Sequence, residues 1–162
     1  MPPDKFPRRE VQRSFRKFDD LVGDLLSAKF QTWGDAMSRL LAHCETDPVM
    51  QVVTSPLKGD SRVDAQKWWN EAVDSVGGMV GSGRYSLPID DDERMALLYQ
   101  VLLLVDGGAA DLAQFSNSVY GVSRFQDMVD TFNHELVHKF TREVSYRLNE
   151  VVEDIGDQQE VS

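Results

Sequence analysis

The chain has little of what marks secreted and membrane proteins. It holds a single cysteine, Cys44, in 162 residues, which excludes an intramolecular disulfide and is typical of a reducing, cytosolic compartment. Its longest apolar stretch, residues 95–105, is interrupted by Gln100 and falls far short of the ~20 residues that span a bilayer. Charges are spread over residues 1–20, so no signal peptide is visible there. We therefore predict a cytoplasmic protein with no membrane partner.

Positive charge is also scarce. The chain has 17 Lys and Arg against 27 Asp and Glu, a formal net charge of −10. Proteins that bind DNA or RNA need positively charged surface to neutralise the phosphates, so no nucleic-acid partner is predicted. A nucleic-acid mimic would need clustered acids, and here they are dispersed along the chain. The one basic cluster comprises Arg8, Arg9, Arg13, Arg16 and Lys17.

Alternating strand patterns are missing, and apolar residues recur instead at three- and four-residue spacing. Helices are predicted over residues 8–30, 35–44, 62–76 after Ser61, 91–106 after Asp90, 110–119, and 124–155 after a Ser123/Gln126 capping box. Asp47-Pro48 opens a further short helix, which Pro56 and Gly59 close. The fold class is therefore predicted to be all-α, a compact bundle of six to seven helices with a long C-terminal helix.

The domain boundaries follow from the same pattern. Residues 1–7 hold three prolines and are predicted to form a flexible N-terminus. Residues 8–155 form a single helical domain. Residues 156–162 are read as an acidic tail, or as a linker to a further domain.

One motif carries chemistry, the sequence His134-Glu135-Leu136-Val137-His138. It resembles the HExxH motif of zincin metallopeptidases. That resemblance implies that His134 and His138 bind Zn²⁺ and that Glu135 is the general base. On a helix the two imidazoles share one face, so the spacing suits a shared metal ion.

The surroundings of the motif differ from those of zincins. Lys139 follows the second histidine, and no third ligand follows in sequence. Glu150 and Glu153 lie on the same predicted helix and cannot fold back to the motif. Our first expectation is therefore no metal, no cofactor and no catalytic residue, with two exposed histidines. The zinc hydrolase stays as the alternative.

A docking function is predicted from aromatic and basic residues. Adjacent Trp68 and Trp69 cannot both face one core. The periodicity turns Trp68 inward, so Trp69 is the expected half-exposed anchor, unless it packs under the loop at residues 77–88. Arg13, Arg16 and Arg84 complete the expected partner-binding residues. Residues 150–160 carry acidic groups that would allow head-to-tail charge pairing with the basic cluster of another copy.

The segment from Gly77 to Tyr146 resembles uncharacterised bacterial helical domains. The resemblance rests on residues 78–82, Leu87-Pro88, an acidic helix start, Phe132-Asn133, Leu136-Val137 and Phe140. Some such domains are amino-terminal modules of antiphage-defence or signalling proteins. The resemblance implies a non-enzymatic protein–protein interaction, adaptor or oligomerisation module, and it implies no catalytic residue.

Overall fold

The computed structural model describes residues 6–75, 85–108, 110–122 and 124–161, with side chains as far as Asp154. The α-helices are α1 Arg8–Leu26, α2 Phe30–Thr46, α3 Pro48–Lys58, α4 Ala65–Asp74, α5 Asp91–Asp106, α6 Leu112–Phe115, α7 Phe125–Phe132 and α8 His138–Val161. Short π-helical segments, Ser116–Tyr120 and Asn133–Val137, follow α6 and α7. No β-strand occurs in the described ranges. Because α7, its π-helical segment and α8 form one rod, the described residues build seven helices, and the predicted all-α bundle is confirmed.

The first two predicted helices are present, but the boundary between them differs. α1 ends at Leu26, where the Ser27 hydroxyl donates to the Gly23 carbonyl at 2.8 Å. Phe30 begins α2 rather than ending α1. The predicted end of the first helix at residue 30 and the predicted start of the second at residue 35 were wrong, because the apolar spacing continues in register across the turn. Gly34, which precedes the predicted start, lies inside α2 with open space where a Cβ would stand.

The start of α3 agrees with its capping signal. The Asp47 carboxylate accepts hydrogen bonds from the backbone N–H groups of Val49 and Met50, at 2.9 and 3.1 Å. Pro48 occupies the first helical turn, where a missing N–H costs nothing. Pro56 lies in the last turn and not beyond the helix, and Gly59 ends α3.

α4 begins three residues later than predicted. Its N-cap is Asp64, which accepts from the Lys67 N–H at 3.0 Å, and not Ser61. The buried face of α4 is formed by Ala65, Trp69 and Ala72. The prediction that Trp69 is half exposed was therefore wrong, since its side chain is 2% exposed. The apolar spacing had favoured Trp68, and tertiary packing placed Trp69 in the core instead.

α5 is the central helix of the bundle. Asp90 caps it by accepting from the Glu93 N–H at 2.9 Å, as predicted. Seven of its residues are buried, and they point in all directions around the helix axis, which is the pattern of a helix enclosed on every side. Gly107 ends it, again as predicted.

The last two helical regions differ from prediction mainly at their ends. α6 begins at Leu112 behind an Asp111 cap, and Gly121 closes the following π-helical segment at φ 69°. The predicted cap Ser123 lies outside the described residues. α8 continues to Val161, six residues beyond the predicted end at Ile155, because no proline or left-handed glycine stops it.

Candidate functional site

The HExxH motif lies on a π-helical turn at the junction of α7 and α8. Asn133, the first residue of that turn, is buried and accepts a hydrogen bond from Trp33 Nε1 at 2.8 Å. Its amide nitrogen donates to the Leu25 carbonyl oxygen at 3.2 Å. These bonds fix the turn against α1 and α2. Such π-helical turns are frequent at functional sites, so the surface that this one presents is a candidate site.

That surface is a shallow groove, which we call the histidine groove. It has a volume of about 380 Å³ and is lined by Leu26, Asp130, Asn133, His134 and His138. Both histidines are exposed to solvent. The spacing in sequence did bring them to one groove, as the HExxH resemblance implies.

Among the described residues, Glu135 does not line the groove, and no third ligand joins the two histidines there. Glu135 lies beside two phenols: burial raises the pKa of Tyr85 and Tyr120, and the charge of Glu135 adds to this rise. Within the described ranges, no group of three or more His, Cys, Asp or Glu side chains could hold a metal ion. Glu150 lines a different groove. A metal bound here by described residues would therefore have at most two ligands of these types.

An exposed aromatic pair lies near the histidine groove. The rings of Phe30 and Phe125 stack with centroids 4.6 Å apart, and they are 41% and 58% exposed. Gln126 joins their helices, because its Oε1 accepts from the Phe30 N–H at 2.8 Å. The apolar periodicity of α7 predicts that Phe125 faces inward with Met128, Val129 and Phe132, and this prediction was wrong. Each phenylalanine begins its helix, where a side chain of correct periodicity can still overhang the end of the core.

The basic cluster lies on the outward face of α1 and is called here the basic stripe: Arg8, Arg9, Arg13, Arg16 and Lys17. All five side chains are exposed. The opposite face of α1, with Val11, Ser14 and Phe18, is buried. The ion pairs of the described residues involve none of the five cations. The stripe is thus a positive surface, on an acidic chain, whose cations make no ion pair among the described residues.

A second groove, the acidic groove, lies between α3, the start of α5 and α8. It has a volume of about 680 Å³. Its acidic lining residues are Asp90, Asp91, Asp92, Glu143, Glu150 and Asp154. Arg147 pairs with Asp92 at 2.8 Å and Arg94 pairs with Asp91. The ion pairs found among the described residues leave Glu143, Glu150 and Asp154 uncompensated.

The predicted docking residue Trp69 lies in the core and not on the surface. It stacks on Phe115, with ring centroids 4.2 Å apart. Its neighbour Trp68 is the half-buried one, and its indole N–H donates to the Ser86 carbonyl at 2.8 Å. Arg84, the other docking residue predicted near this loop, lies outside the described residues.

Buried Ser14 and His43 lie beside half-buried Asp47, but the three do not form a nucleophilic triad. The Ser14 hydroxyl donates to the Asp47 carboxylate at 3.0 Å, and His43 Nε2 lies 3.1 Å from the Ser14 carbonyl oxygen. A histidine that activates Ser14 as a nucleophile would have to contact its hydroxyl, whereas His43 contacts the backbone carbonyl of Ser14. The cluster therefore joins α1 to the α2–α3 junction. Cys44 is buried, which raises the pKa of its thiol to about 12, so it is not a ready nucleophile.

Comparison of the chain with family models, curated proteins and solved structures finds no match. In the described part of the chain, no helix is both long enough and apolar enough to cross a membrane. The candidate surfaces must therefore be interpreted from their own chemistry.

Proposed function

We propose that this domain is a non-enzymatic protein–protein interaction module, of the adaptor or oligomerisation type, and that the basic stripe binds an acidic surface of its partner. The observation that carries the proposal is the set of five exposed cations on one helix face with no ion pair among the described residues. Arg13 and Arg16 lie at the middle of the stripe and are its central binding residues.

Like charges repel one another along the stripe. Arg9, Arg13 and Lys17 follow each other at i, i+4 spacing, and each like-charge pair at this spacing destabilises a helix by about 0.2–0.5 kcal/mol. A bound acidic partner would turn this repulsion into attraction and would accelerate encounter. In a bacterial defence or signalling protein, such a module would bring an effector to its partner in the cytoplasm.

The test places a photo-activatable cross-linking residue at Gln12, an exposed position beside the stripe. The matched control carries the same residue at Asn70, which is exposed on α4. In the host cell, the probe at Gln12 should cross-link to a protein, either another copy or a different chain, and the probe at Asn70 should not. Arg13→Glu/Arg16→Glu should abolish the cross-link. Equal labelling from both positions, or labelling that survives the charge reversal, would refute the proposal.

A zinc-dependent hydrolase is the second candidate, and the observation that favours it is the shared groove of His134 and His138. In this alternative the two histidines hold Zn²⁺ and Glu135 activates a water molecule. Untagged protein should then contain one zinc per chain and hydrolyse peptides. His138→Ala should lose both properties while Lys139→Ala keeps them. Protein that binds no zinc when Zn²⁺ is supplied would exclude this candidate.

A further inference from the structure

The acidic groove and the basic stripe are complementary surfaces on the same chain. We propose that the acidic groove receives the basic stripe of a second copy, so that copies assemble head to tail. This inference rests on the proposed interaction function and names its partner. The two surfaces suit each other in charge, in apolar content, in dimensions and in placement.

The charges of the two surfaces are opposite. The lining of the acidic groove holds six carboxylates and one guanidinium. Asp90, Asp91 and Asp92 pair with Arg62, Arg94 and Arg147, whereas Glu143, Glu150 and Asp154 make no ion pair among the described residues. The stripe holds five cations that make no ion pair within the described residues. Pairing stripe with stripe, or groove with groove, would oppose like charges. Electrostatics therefore favours the contact between unlike surfaces.

The groove also offers apolar surface, which exposed charge pairs alone would lack. Val52, Val53, Pro56 and Val151 contribute to its lining, and Tyr146 at its side is 62% exposed. Exposed ion pairs contribute little to affinity by themselves. The apolar lining can cover the aliphatic stems of arginine side chains while their guanidinium groups reach the carboxylates.

The two surfaces match in length and periodicity. Along α8, the acidic residues of the groove extend from Glu143 to Asp154, about 16 Å of helix axis. The stripe extends from Arg8 to Lys17, about 14 Å. Arg9, Arg13 and Arg16 repeat at intervals of four and three residues, which keeps them on one face of α1.

The placement of the surfaces allows both to be occupied at once. On α8, Asn149 and Val152 face Arg16 at the stripe side, whereas Arg147 and Val151 face the acidic groove. The stripe and the groove therefore flank opposite sides of the same helix and share no residue. A contact between two different surfaces of identical copies is heterologous. It produces a ring if the rotation between copies closes, and an open filament if it does not.

The experiment uses two complementary variants of the full chain. The stripe variant is Arg13→Glu/Arg16→Glu, and the groove variant is Glu143→Lys/Glu150→Lys. The altered side chains are not buried, so circular dichroism should report an unchanged helix content. Matched controls make the same changes in net charge elsewhere on the surface: Lys29→Glu/Arg39→Glu, and Glu71→Lys/Asp74→Lys.

Sedimentation velocity at low salt should give a wild-type mass that grows with concentration beyond twice the 18.3 kDa chain mass. Each variant alone should associate about tenfold more weakly or remain monomeric. An equimolar mixture of the two should contain heterodimers, because the intact stripe of the groove variant can bind the intact groove of the stripe variant. Both control variants should assemble like the wild type, and added salt should weaken every assembly.

Three results would overturn the inference. The wild-type chain could stay monomeric at millimolar concentration, the wild-type assembly could stop at the dimer, or the folded variants could form no heterodimer when mixed. A monomeric wild type whose Gln12 probe still cross-links to a different protein would remove the second copy as partner and leave the proposed function standing. A Gln12 probe that labels nothing would remove the proposed function itself.

Discussion

Asn133 provides the sharpest test of how the HExxH turn is held in place. Its side chain is 4% exposed, and it satisfies two buried groups that belong to other helices. It accepts from Trp33 Nε1 at 2.8 Å and donates to the Leu25 carbonyl at 3.2 Å. Asn133→Ala would leave both groups buried without this partner.

The expected cost can be worked out from these two contacts. Each buried polar group that loses its partner costs about 1–3 kcal/mol. Alanine has a higher helix propensity than asparagine, which returns about 0.7 kcal/mol. We therefore expect Asn133→Ala to lower the free energy of unfolding by about 1–5 kcal/mol, against the about 5–15 kcal/mol typical of a domain.

Urea denaturation followed by circular dichroism measures this change. Asn70→Ala is the matched control, because Asn70 is exposed and its side-chain amide oxygen accepts a hydrogen bond from Gln66 on the surface of the same helix. Its cost should be within about 0.5 kcal/mol. A double-mutant cycle with Trp33→Phe should give a coupling of about 1 kcal/mol. If Asn133→Ala costs no more than Asn70→Ala, or if the cycle shows no coupling, the described hydrogen bonds do not stabilise the turn.

Three further predictions concern buried or half-buried side chains. Trp69→Ala should destabilise the domain by about 3–5 kcal/mol, because its ring is 2% exposed, and half-buried Trp68→Ala should cost less; equal urea midpoints for the two variants would contradict the packing. Cys44 should resist a thiol-specific reagent in the native state, because its thiol is buried with a pKa of about 12, and should react fully in guanidinium chloride; rapid native labelling would contradict this. Burial and the hydrogen bond to Tyr85 raise the pKa of Tyr120. The contribution of Tyr120 to the free energy of unfolding should therefore be complete below the pKa of about 10 of the unfolded chain. It should decline as the pH rises toward and through the pKa of the folded state. Tyr120→Phe should reduce this alkaline loss of stability, and an unchanged dependence on pH would refute the assignment.

The candidate surfaces were predictable from the sequence to different degrees. The basic stripe was visible because its residues are close in the chain and share one helix face. The histidine groove was visible for the same reason. The acidic groove was only half visible, since residues 150–160 were expected to be acidic but Asp90 to Asp92 join them from a distant helix start. The stacked Phe30 and Phe125 gave no sequence signal, because 95 positions separate them in the chain.

By itself, the sequence determined that this chain is helical and where several helices begin. Capping by Asp47 and Asp90, and the spacing of apolar residues, act within a few positions, so local chemistry is enough to set them. Only the tertiary structure decided which tryptophan entered the core. It also decided where α1 gives way to α2, and that an acidic groove forms across three helices. Those outcomes depend on the side chains that meet after folding, such as Phe115 against Trp69, and the apolar periodicity of a single helix does not contain that information.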